Sequence, residues 1–239
     1  MRMVEDGYSH SQPTPELPPA IEAGASPLLP RRLVDLFLRP AHFFRSELAL
    51  GQTPYVLLVT WCYGISSAVE RLDSELLRAE VGSPRPSWEQ LEPIVLGSWT
   101  GFWTWVAVIG AAGGFFAWWI GGWWYRMRLS FSGARDPDRR LARLVLVYTS
   151  FVFAGPSVLV ALAYTILYEN YRVAYETAEL LPLVLVFFVF WSVLTSYTGA
   201  ITVFDVSRWR ARLWFLILPV LVYLTVFGVA ATLFTFFTG

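Results

Sequence analysis

The sequence contains no lysine, one cysteine and two histidines among its 239 residues. A single cysteine, Cys62, excludes a disulfide within the chain. The histidines, His10 and His42, both lie outside the long apolar stretches. No set of histidine and cysteine ligands is therefore available for zinc or haem inside a membrane. We expect no metal site and no cofactor.

Charge is also scarce, because Asp, Glu, Lys and Arg make up 15% of the chain against 56% hydrophobic residues, and the mean hydropathy is +0.50. These values lie outside the usual range of soluble domains. About 20 apolar residues suffice to cross a bilayer. Five stretches without charge or histidine reach that length: Leu48–Val69, Ile94–Tyr125, Leu144–Tyr168, Leu180–Phe204 and Leu213–Gly239. The sequence predicts an all-α integral membrane protein with five transmembrane helices, preceded by a cytoplasmic interfacial amphipathic helix.

Three regions are expected along the chain. Residues 1–30 contain six prolines and lack the apolar core of a signal peptide, so we expect a disordered, proline-rich cytoplasmic tail. Residues 31–50 are predicted to form the interfacial helix, and residues 51–239 the five-helix bundle. The predicted spans are approximately 52–69, 99–124, 144–168, 180–204 and 213–237.

The interfacial segment has one polar stripe at helical spacing and an apolar face opposite it. The stripe consists of Arg32, Asp35, Arg39, His42 and Ser46. Pro40 has no backbone N–H and is predicted to break the helix and to begin a second short one, which makes it a candidate hinge. The segment either anchors the first span or binds a partner or lipid.

Arginine distribution predicts the orientation. With a cytoplasmic N-terminus, fourteen of the 18 arginines lie on the cytoplasmic side and four, Arg71, Arg78, Arg85 and Arg172, on the other. This bias predicts an N-terminus inside and a C-terminus outside. The exclusive use of arginine as the basic residue suits a GC-rich genome, and we expect a bacterial cytoplasmic (inner) membrane.

The second span is longer than a bilayer requires, since its 32 residues would form a helix of about 48 Å. Two groups of tryptophans, Trp99 to Trp105 and Trp118 to Trp124, are predicted to lie as aromatic belts at the two membrane interfaces. Small residues at helical spacing let helices approach closely, either within the bundle or in a homodimer. The candidate packing residues are Gly110, Gly113, Gly114 and Gly121.

The third span contains Gly155 and Pro156, a candidate hinge, because proline frees a backbone carbonyl and kinks a helix. A kink of this kind serves either a plain structural bundle or a moving part of a transporter.

The predicted cytoplasmic loops are rich in arginine next to the membrane, where each arginine attracts anionic headgroups by about 1 kcal/mol. The candidate residues for binding lipid or a protein partner are Arg126, Arg128, Arg135, Arg139, Arg140, Arg208, Arg210 and Arg212. The predicted spans contain no ionisable residue, and the chain has no nucleotide-binding glycine motif, so we expect no enzymatic activity and no nucleic-acid partner.

Three stretches resemble the Yip domain family, polytopic membrane proteins named for interaction with Ypt/Rab GTPases and also present in bacteria. They are Leu38–Phe44, Gly121–Leu146 with Gly133-Ala-Arg-Asp, and Trp191–Arg212 with its Ser-Arg-Trp-Arg-Ala hairpin. The resemblance covers about residues 31–237. It implies a non-enzymatic five-helix membrane protein that is oligomeric or acts with partners, and it supplies no catalytic residues.

The leading hypothesis is an adaptor, scaffold or accessory subunit that engages a partner protein or anionic lipid at its cytoplasmic face. The alternative is a transporter or permease component for a small molecule or lipid, and a third possibility is a protein that perturbs the bilayer. A transporter requires a polar cavity at the midplane. The hydroxyl residues available for it are Thr149, Ser150, Ser157, Thr195, Ser196, Tyr197 and Thr198.

Overall fold

The computed structural model of the chain describes residues 30–46, 53–80, 82, 85–178 and 181–238. Within these residues the chain is helical and contains no strand. The predicted tail over residues 1–30 lies outside the described residues except for Pro30, and so do residues 47–52 between the interfacial segment and the first span.

The described part of the chain forms eleven α-helices and two π-helical segments. The helices are α1 (Pro30–Leu38), α2 (Pro40–Ser46), α3 (Thr53–Glu80), α4 (Pro86–Leu96), α5 (Trp99–Phe116), α6 (Gly122–Phe131), α7 (Arg139–Leu167), α8 (Tyr171–Thr177), α9 (Leu181–Val203), α10 (Arg208–Arg212) and α11 (Leu218–Thr238). The first π-segment, Ala117–Gly121, joins α5 to α6, and the second, Leu213–Ile217, joins α10 to α11.

Four helical stretches in the described residues are long and apolar enough to cross a membrane: Trp99–Phe131, Arg139–Leu167, Val184–Val203 and Arg208–Val229. The predicted first span corresponds to the N-terminal half of α3. That helix continues through charged residues to Glu80, and it is not among the four. Four spans, rather than the five expected, follow from length and apolar composition.

The first two helices dock onto the bundle through their apolar faces. Arg39 separates them, and Pro40 is the first residue of α2, where its missing N–H leaves no hydrogen bond unmade. Leu36 on α1 and Phe43 on α2 are completely buried. The indole N–H of Trp191 on α9 donates to the backbone oxygen of Phe37 at 2.8 Å.

The closest helix crossing joins α3 to α5 at glycines. A Cβ at Gly64 would overlap the carbonyl oxygen of Gly110, and one at Gly114 would lie 2.7 Å from the carbonyl oxygen of Thr60. Both distances are too short for carbon, so glycine is required for the backbones to approach this closely. The predicted glycine face of the second span packs inside the bundle, against a glycine of α3 that the sequence reasoning missed.

Two buried clusters lie at opposite ends of the bundle. The end formed by α1, α2, the 132–138 loop and α10 is called the arginine end. Its cluster includes Phe43, Tyr125 and Phe215. The end formed by α4, α8 and the C-terminal part of α3 is called the acidic end. Its cluster includes Leu72 and Phe102.

The two predicted tryptophan belts differ in their surroundings. At the acidic end, the indole of Trp99 donates to the backbone oxygen of Tyr168 at 2.9 Å, and that of Trp103 donates to Thr165 Oγ1 at 3.0 Å. These rings join α5 to α7 and are half-buried. Trp119 and Trp123, near the arginine end, are more than half exposed. The first group therefore contacts the bundle itself, because an indole N–H also finds partners across a helix interface, and its position at a membrane interface stays a prediction.

The α3–α5 crossing gives a prediction with a matched control. Gly110→Ala places a methyl group 2.9 Å from the backbone nitrogen of Ile65, whereas Gly113→Ala meets its nearest atom at 3.7 Å. We expect Gly110→Ala to lower stability by about 1–3 kcal/mol through overpacking. Gly113→Ala should leave stability unchanged or raise it, because alanine favours the helix. Thermal unfolding in mild detergent measures both, and equal melting temperatures for the two variants would contradict the crossing.

Candidate functional site

A cavity of about 670 Å³ lies between α3, α6, α7, α9 and the last helix. Its wall is largely apolar, with side chains such as Phe153 and Val189. Charged and hydroxyl-bearing residues interrupt that wall: Tyr63, Ser67, Glu70, Arg128, Thr149, Ser150, Ser192, Ser196 and Tyr223. The volume falls within the range of known small-molecule sites, about 300–1,000 Å³.

Arg128 is held at the end of the cavity nearer the arginine end. Its Nε and Nη2 atoms both donate to the backbone oxygen of Trp214, at 3.1 and 2.6 Å. The guanidinium lies 4.2 Å from the ring centre of Phe215 and 6.0 Å from that of Tyr125. Among the described residues, no carboxylate lies within 4.0 Å of it. Trp214 and Phe215 belong to the second π-segment, so this segment fixes the guanidinium beside the cavity.

The expectation that the spans contain no ionisable residue stays a prediction, because the stretch that contains Arg128 is 33 residues long and a bilayer requires only about 20. Arg128 lies within the stretch Trp99–Phe131, which is long and apolar enough to cross a membrane. The charge-free stretch ends at Tyr125, but the helix continues for six more residues, to Phe131. Arg128 is therefore part of the helix, and it faces the cavity.

Glu70 on α3 contributes the one carboxyl group of the cavity lining. The phenol of Tyr223 on α11 lies within electrostatic range of both Glu70 and Arg128. The lining therefore contains a guanidinium, a carboxyl group and a phenol that interacts with both.

Several hydroxyl groups of the cavity donate to their own helices. Thr149 Oγ1 donates to the backbone oxygen of Leu146 at 2.9 Å, and Ser192 Oγ donates to that of Val189 at 2.7 Å. A hydroxyl oxygen that has used its hydrogen retains lone pairs. These residues therefore offer hydrogen-bond acceptors to a molecule in the cavity.

The seven predicted midplane hydroxyl residues divide between the cavity and other places. Thr149, Ser150 and Ser196 line it. Ser157 and Thr195 are buried but are not part of the lining. Tyr197 and Thr198 also lie outside the lining. Sequence reasoning did not include Tyr63, Ser192 and Tyr223, because their contribution depends on how α3, α9 and α11 face one another.

The eight arginines proposed to bind lipid or a partner have different environments. Arg128 faces the cavity, and Arg126 pairs with Asp136 at 2.5 Å and donates to the backbone oxygen of Pro137 at 2.9 Å. The remaining six have exposed side chains: Arg135, Arg139, Arg140, Arg208, Arg210 and Arg212. The structure thus gathers six of the eight at the surface of the arginine end.

Arg143, which was not a sequence candidate, lies over the Trp119 ring at 4.3 Å. Its aliphatic stem occupies the space beside Gly122. This arrangement fixes α6 against α7 next to the first π-segment, and π-segments are frequent at functional sites.

The candidate hinges lie in continuous or docked helices. Gly155 and Pro156 are inside α7, which is helical on both sides of them. Pro40 begins α2 against the bundle core. The remaining candidate packing residue, Gly121, faces Leu146 of α7.

A second groove, of about 840 Å³, runs along α3, α5 and α7. Its lining is apolar apart from Thr60 and Arg140, and several of its side chains, such as Leu57 and Phe115, are more than half exposed. It opens to the outer surface of the bundle, and so does the cavity lined by Arg128, where Trp124 and Val226 are exposed.

A buried carboxyl lies at the acidic end. The Tyr171 hydroxyl on α8 donates to Asp73 Oδ1 at 2.6 Å, and the Tyr171 ring stacks on Phe102 at 4.4 Å. Burial raises the pKa of Asp73 from 3.8 to about 6, although the hydrogen bond from Tyr171 opposes the shift. This contact joins α3, α5 and α8, and Asp73 and Tyr171 lie outside the four stretches that are long and apolar enough to cross a membrane.

In comparisons with protein-family models, curated proteins and solved structures, no match to the chain was found.

Asp73 gives a prediction about pH. A carboxyl with a raised pKa in the folded state binds its proton more tightly there than when unfolded. Its contribution to stability is therefore present below pH 3.8 and is lost as the pH rises through about 6. Asp73→Asn retains an acceptor for Tyr171 and removes the charge. We expect the melting temperature of the variant, relative to wild type, to be higher at pH 8 than at pH 4. A difference that does not change with pH would exclude this role for Asp73.

Proposed function

We propose that this chain is a non-enzymatic membrane protein that binds a monoanionic amphiphile in the cavity lined by Arg128 and acts as a transporter or permease component, or in lipid handling. The observation that carries the proposal is the Arg128 guanidinium, which faces the cavity without a carboxylate partner among the described residues. An ionisable residue inside a membrane bundle is costly and marks a functional site. An anion in the cavity supplies the missing negative charge.

The donor geometry of Arg128 supports binding of an anion. A guanidinium has five N–H donors. The two hydrogen bonds of Arg128 both go to the Trp214 carbonyl. These bonds orient the group and leave donors for a carboxylate or phosphate, which arginine recognises with two parallel hydrogen bonds.

The rest of the lining limits the ligand class. Apolar side chains such as Phe153 and Val189 suit a hydrocarbon body, and the hydroxyl oxygens of Thr149 and Ser192 tolerate a polar group along it. Glu70 disfavours a second negative charge distant from Arg128. The lining therefore favours an amphiphile with one anionic group.

The proposal includes α3 as a fifth membrane-spanning helix. Its glycine crossing with α5 involves Gly110, within the stretch Trp99–Phe131. A helix in such close backbone contact with a membrane-crossing helix lies at the same depth. The N-terminal half of α3 is then inside the membrane, and α1 and α2 lie at the interface of the arginine end.

The orientation and family assignment are also proposals. The arginine excess at one end supports an N-terminus inside and a C-terminus outside, in a bacterial inner membrane. Membership of the Yip domain family stays a prediction from the sequence.

A second candidate function, that of adaptor or scaffold, rests on the six exposed arginines of the arginine end. Arg208, Arg210 and Arg212 follow one another on α10, a short helix that projects three cations beside the membrane. Such a cluster suits anionic lipid headgroups, an acidic protein partner or a second copy of the chain in a homo-oligomer.

The cavity proposal is tested with oleate and its neutral analogue oleyl alcohol. We expect the purified protein to bind oleate more tightly, and Arg128→Gln to weaken oleate binding about tenfold or more, because hydrogen bonds to charged groups contribute about 1.5–3 kcal/mol. Arg210→Gln is the matched control, since it removes an exposed arginine from the same end. Binding is measured by isothermal titration in detergent.

A second variant controls for the possibility that Arg128→Gln does not fold. Val189→Trp fills the cavity while leaving Arg128 in place, and it should reduce the binding of both oleate and oleyl alcohol. Unchanged oleate affinity in the Arg128 and Val189 variants would overturn the cavity proposal.

The adaptor candidate is tested separately with the triple variant Arg208→Gln, Arg210→Gln and Arg212→Gln. Affinity purification from the native membrane should recover a stoichiometric protein with wild type and lose it with the triple variant. Arg128→Gln should retain that protein. Recovery of the same protein with all three chains would argue against the arginine end as the docking face.

A further inference from the structure

A third recess, of about 420 Å³, lies at the acidic end between α3, α4 and α5. Three arginines line it: Arg71 and Arg78 from α3, and Arg85 from the residue that precedes α4. These are three of the four arginines that the sequence assigns to this side of the membrane. Three arginines in one recess indicate a binding site for an anion. The recess is called the headgroup groove below.

The charge of the headgroup groove is net positive. Its one carboxylate, Glu75, pairs with Arg85 at 2.9 Å and with Arg78 at 3.7 Å. No ion pair joins Arg71 to any carboxylate among the described residues. With three arginines and one glutamate the groove attracts an anion.

Two buried polar atoms of residues that line the groove have no hydrogen-bond partner among the described residues. They are the indole Nε1 of Trp88, a donor, and Oε2 of Glu75, an acceptor. Trp88 is 5% exposed and lines the groove. A buried polar group without a partner destabilises the folded state. A ligand that offers both an acceptor and a donor would satisfy both atoms.

The floor of the groove is apolar. Trp105 and Ile109 belong to the membrane-crossing stretch Trp99–Phe131, and Leu72 and Leu91 complete this surface. The arginines come from beyond the end of that stretch. The groove therefore joins a cationic, water-facing part to an apolar, membrane-facing part, which is the layout of a lipid at the membrane interface.

We propose that the headgroup groove binds an anionic phosphodiester lipid whose headgroup carries a hydroxyl donor, as in phosphatidylglycerol. The phosphate accepts hydrogen bonds from the arginines and from Trp88 Nε1. The headgroup hydroxyl donates to Glu75 Oε2. The acyl chains lie along Trp105 and Ile109. The groove shares no residue with the cavity lined by Arg128, and the proposal does not depend on the function proposed above.

Three lipids with equal acyl chains separate the two parts of the recognition. Phosphatidylglycerol has the negative charge and the hydroxyl donor, phosphatidylmethanol has the charge without a headgroup donor, and phosphatidylcholine has neither a net charge nor a donor. Native mass spectrometry of the full chain from mixed micelles measures how much of each lipid is retained. We expect retention to decrease in that order.

Variants assign the preference to named groups. The triple variant Arg71→Gln, Arg78→Gln and Arg85→Gln should reduce phosphatidylglycerol retention to the level of phosphatidylcholine. Glu75→Gln should remove the preference for phosphatidylglycerol over phosphatidylmethanol while both are still retained above phosphatidylcholine. Trp88→Phe should weaken retention of both anionic lipids several-fold. These arginines are exposed, so their replacement should leave the fold intact.

Arg172→Gln is the matched control, because Arg172 lies at the same end but pairs with Glu92 and Glu176 and does not line the groove. It should leave lipid retention unchanged. Equal retention of the three lipids by wild type, or unchanged retention by the triple arginine variant, would overturn the proposal. A bridging water between Trp88 and Glu75, in place of a lipid, would give that result.

Soluble glycerophosphoglycerol distinguishes a lipid from a free phosphodiester. It carries the same headgroup without acyl chains. We expect millimolar concentrations to displace phosphatidylglycerol poorly, because the apolar floor contributes to binding. Displacement at the same concentration as the intact lipid would show that the groove recognises a water-soluble phosphodiester instead.

Discussion

The backbone contact between α3 and α5 at Gly64 and Gly110 is the interaction on which the rest of the structure depends. In a bilayer the hydrophobic effect contributes little to the association of helices, so association depends on close van der Waals contact. Glycine permits the closest approach of two backbones. Because α3 is fixed at this crossing, the side chains beyond it have set positions. Glu70 lines the same cavity as Arg128, and Asp73 accepts a hydrogen bond from Tyr171 of α8. Arg71 and Arg78 line the headgroup groove. A shift of α3 by one turn, about 5.4 Å, would remove all of these arrangements together.

Two arginines beside the π-helical segments are held by a backbone carbonyl and by aromatic rings. Arg128 is neutralised by no acid among the described residues, and it is oriented by the Trp214 carbonyl and by the Phe215 ring. Arg143 is held in a similar way over Trp119. Each arginine contacts a π-helical segment of another helix, where the local widening changes which groups face the bundle. Carbonyls and aromatic faces stabilise a guanidinium without removing its charge. Arg128 is therefore positioned while its charge remains available to a ligand in the cavity.

Much of the fold could be predicted from the sequence, because the positions and ends of the helices depend on residues that are close together in the chain. Charge-free stretches of sufficient length predicted the four helical stretches that are long and apolar enough to cross a membrane, and Pro40 predicted the helix boundary next to it. The site could not be predicted to the same extent. Arg126 and Arg128 are two residues apart, yet the first pairs with Asp136 near the surface and the second points into the bundle. Side chains two positions apart differ by about 200° around a helix, and only the packing of α6 against the second π-segment decides which one is internal. Gly64 was not predicted as a packing residue for the same reason. A single glycine in a helix indicates a close crossing only when the helix that packs against it is known.

The arginines of the acidic end test the charge rule that predicted the orientation. In the proposed orientation the acidic end lies outside, where arginine opposes the positive-inside bias, so the contacts of each of these arginines are informative. Arg172 pairs with Glu92 and Glu176, and Arg78 and Arg85 share Glu75. Arg71 has no ion-pair partner in the described part of the chain. It lines the same recess as Trp88 and Glu75, whose Nε1 and Oε2 atoms have no hydrogen-bond partner among those residues. A purely structural role explains the three paired arginines, but it does not explain the position of Arg71 or the two buried atoms without partners. A bound phosphodiester headgroup would interact with Arg71 and with both atoms.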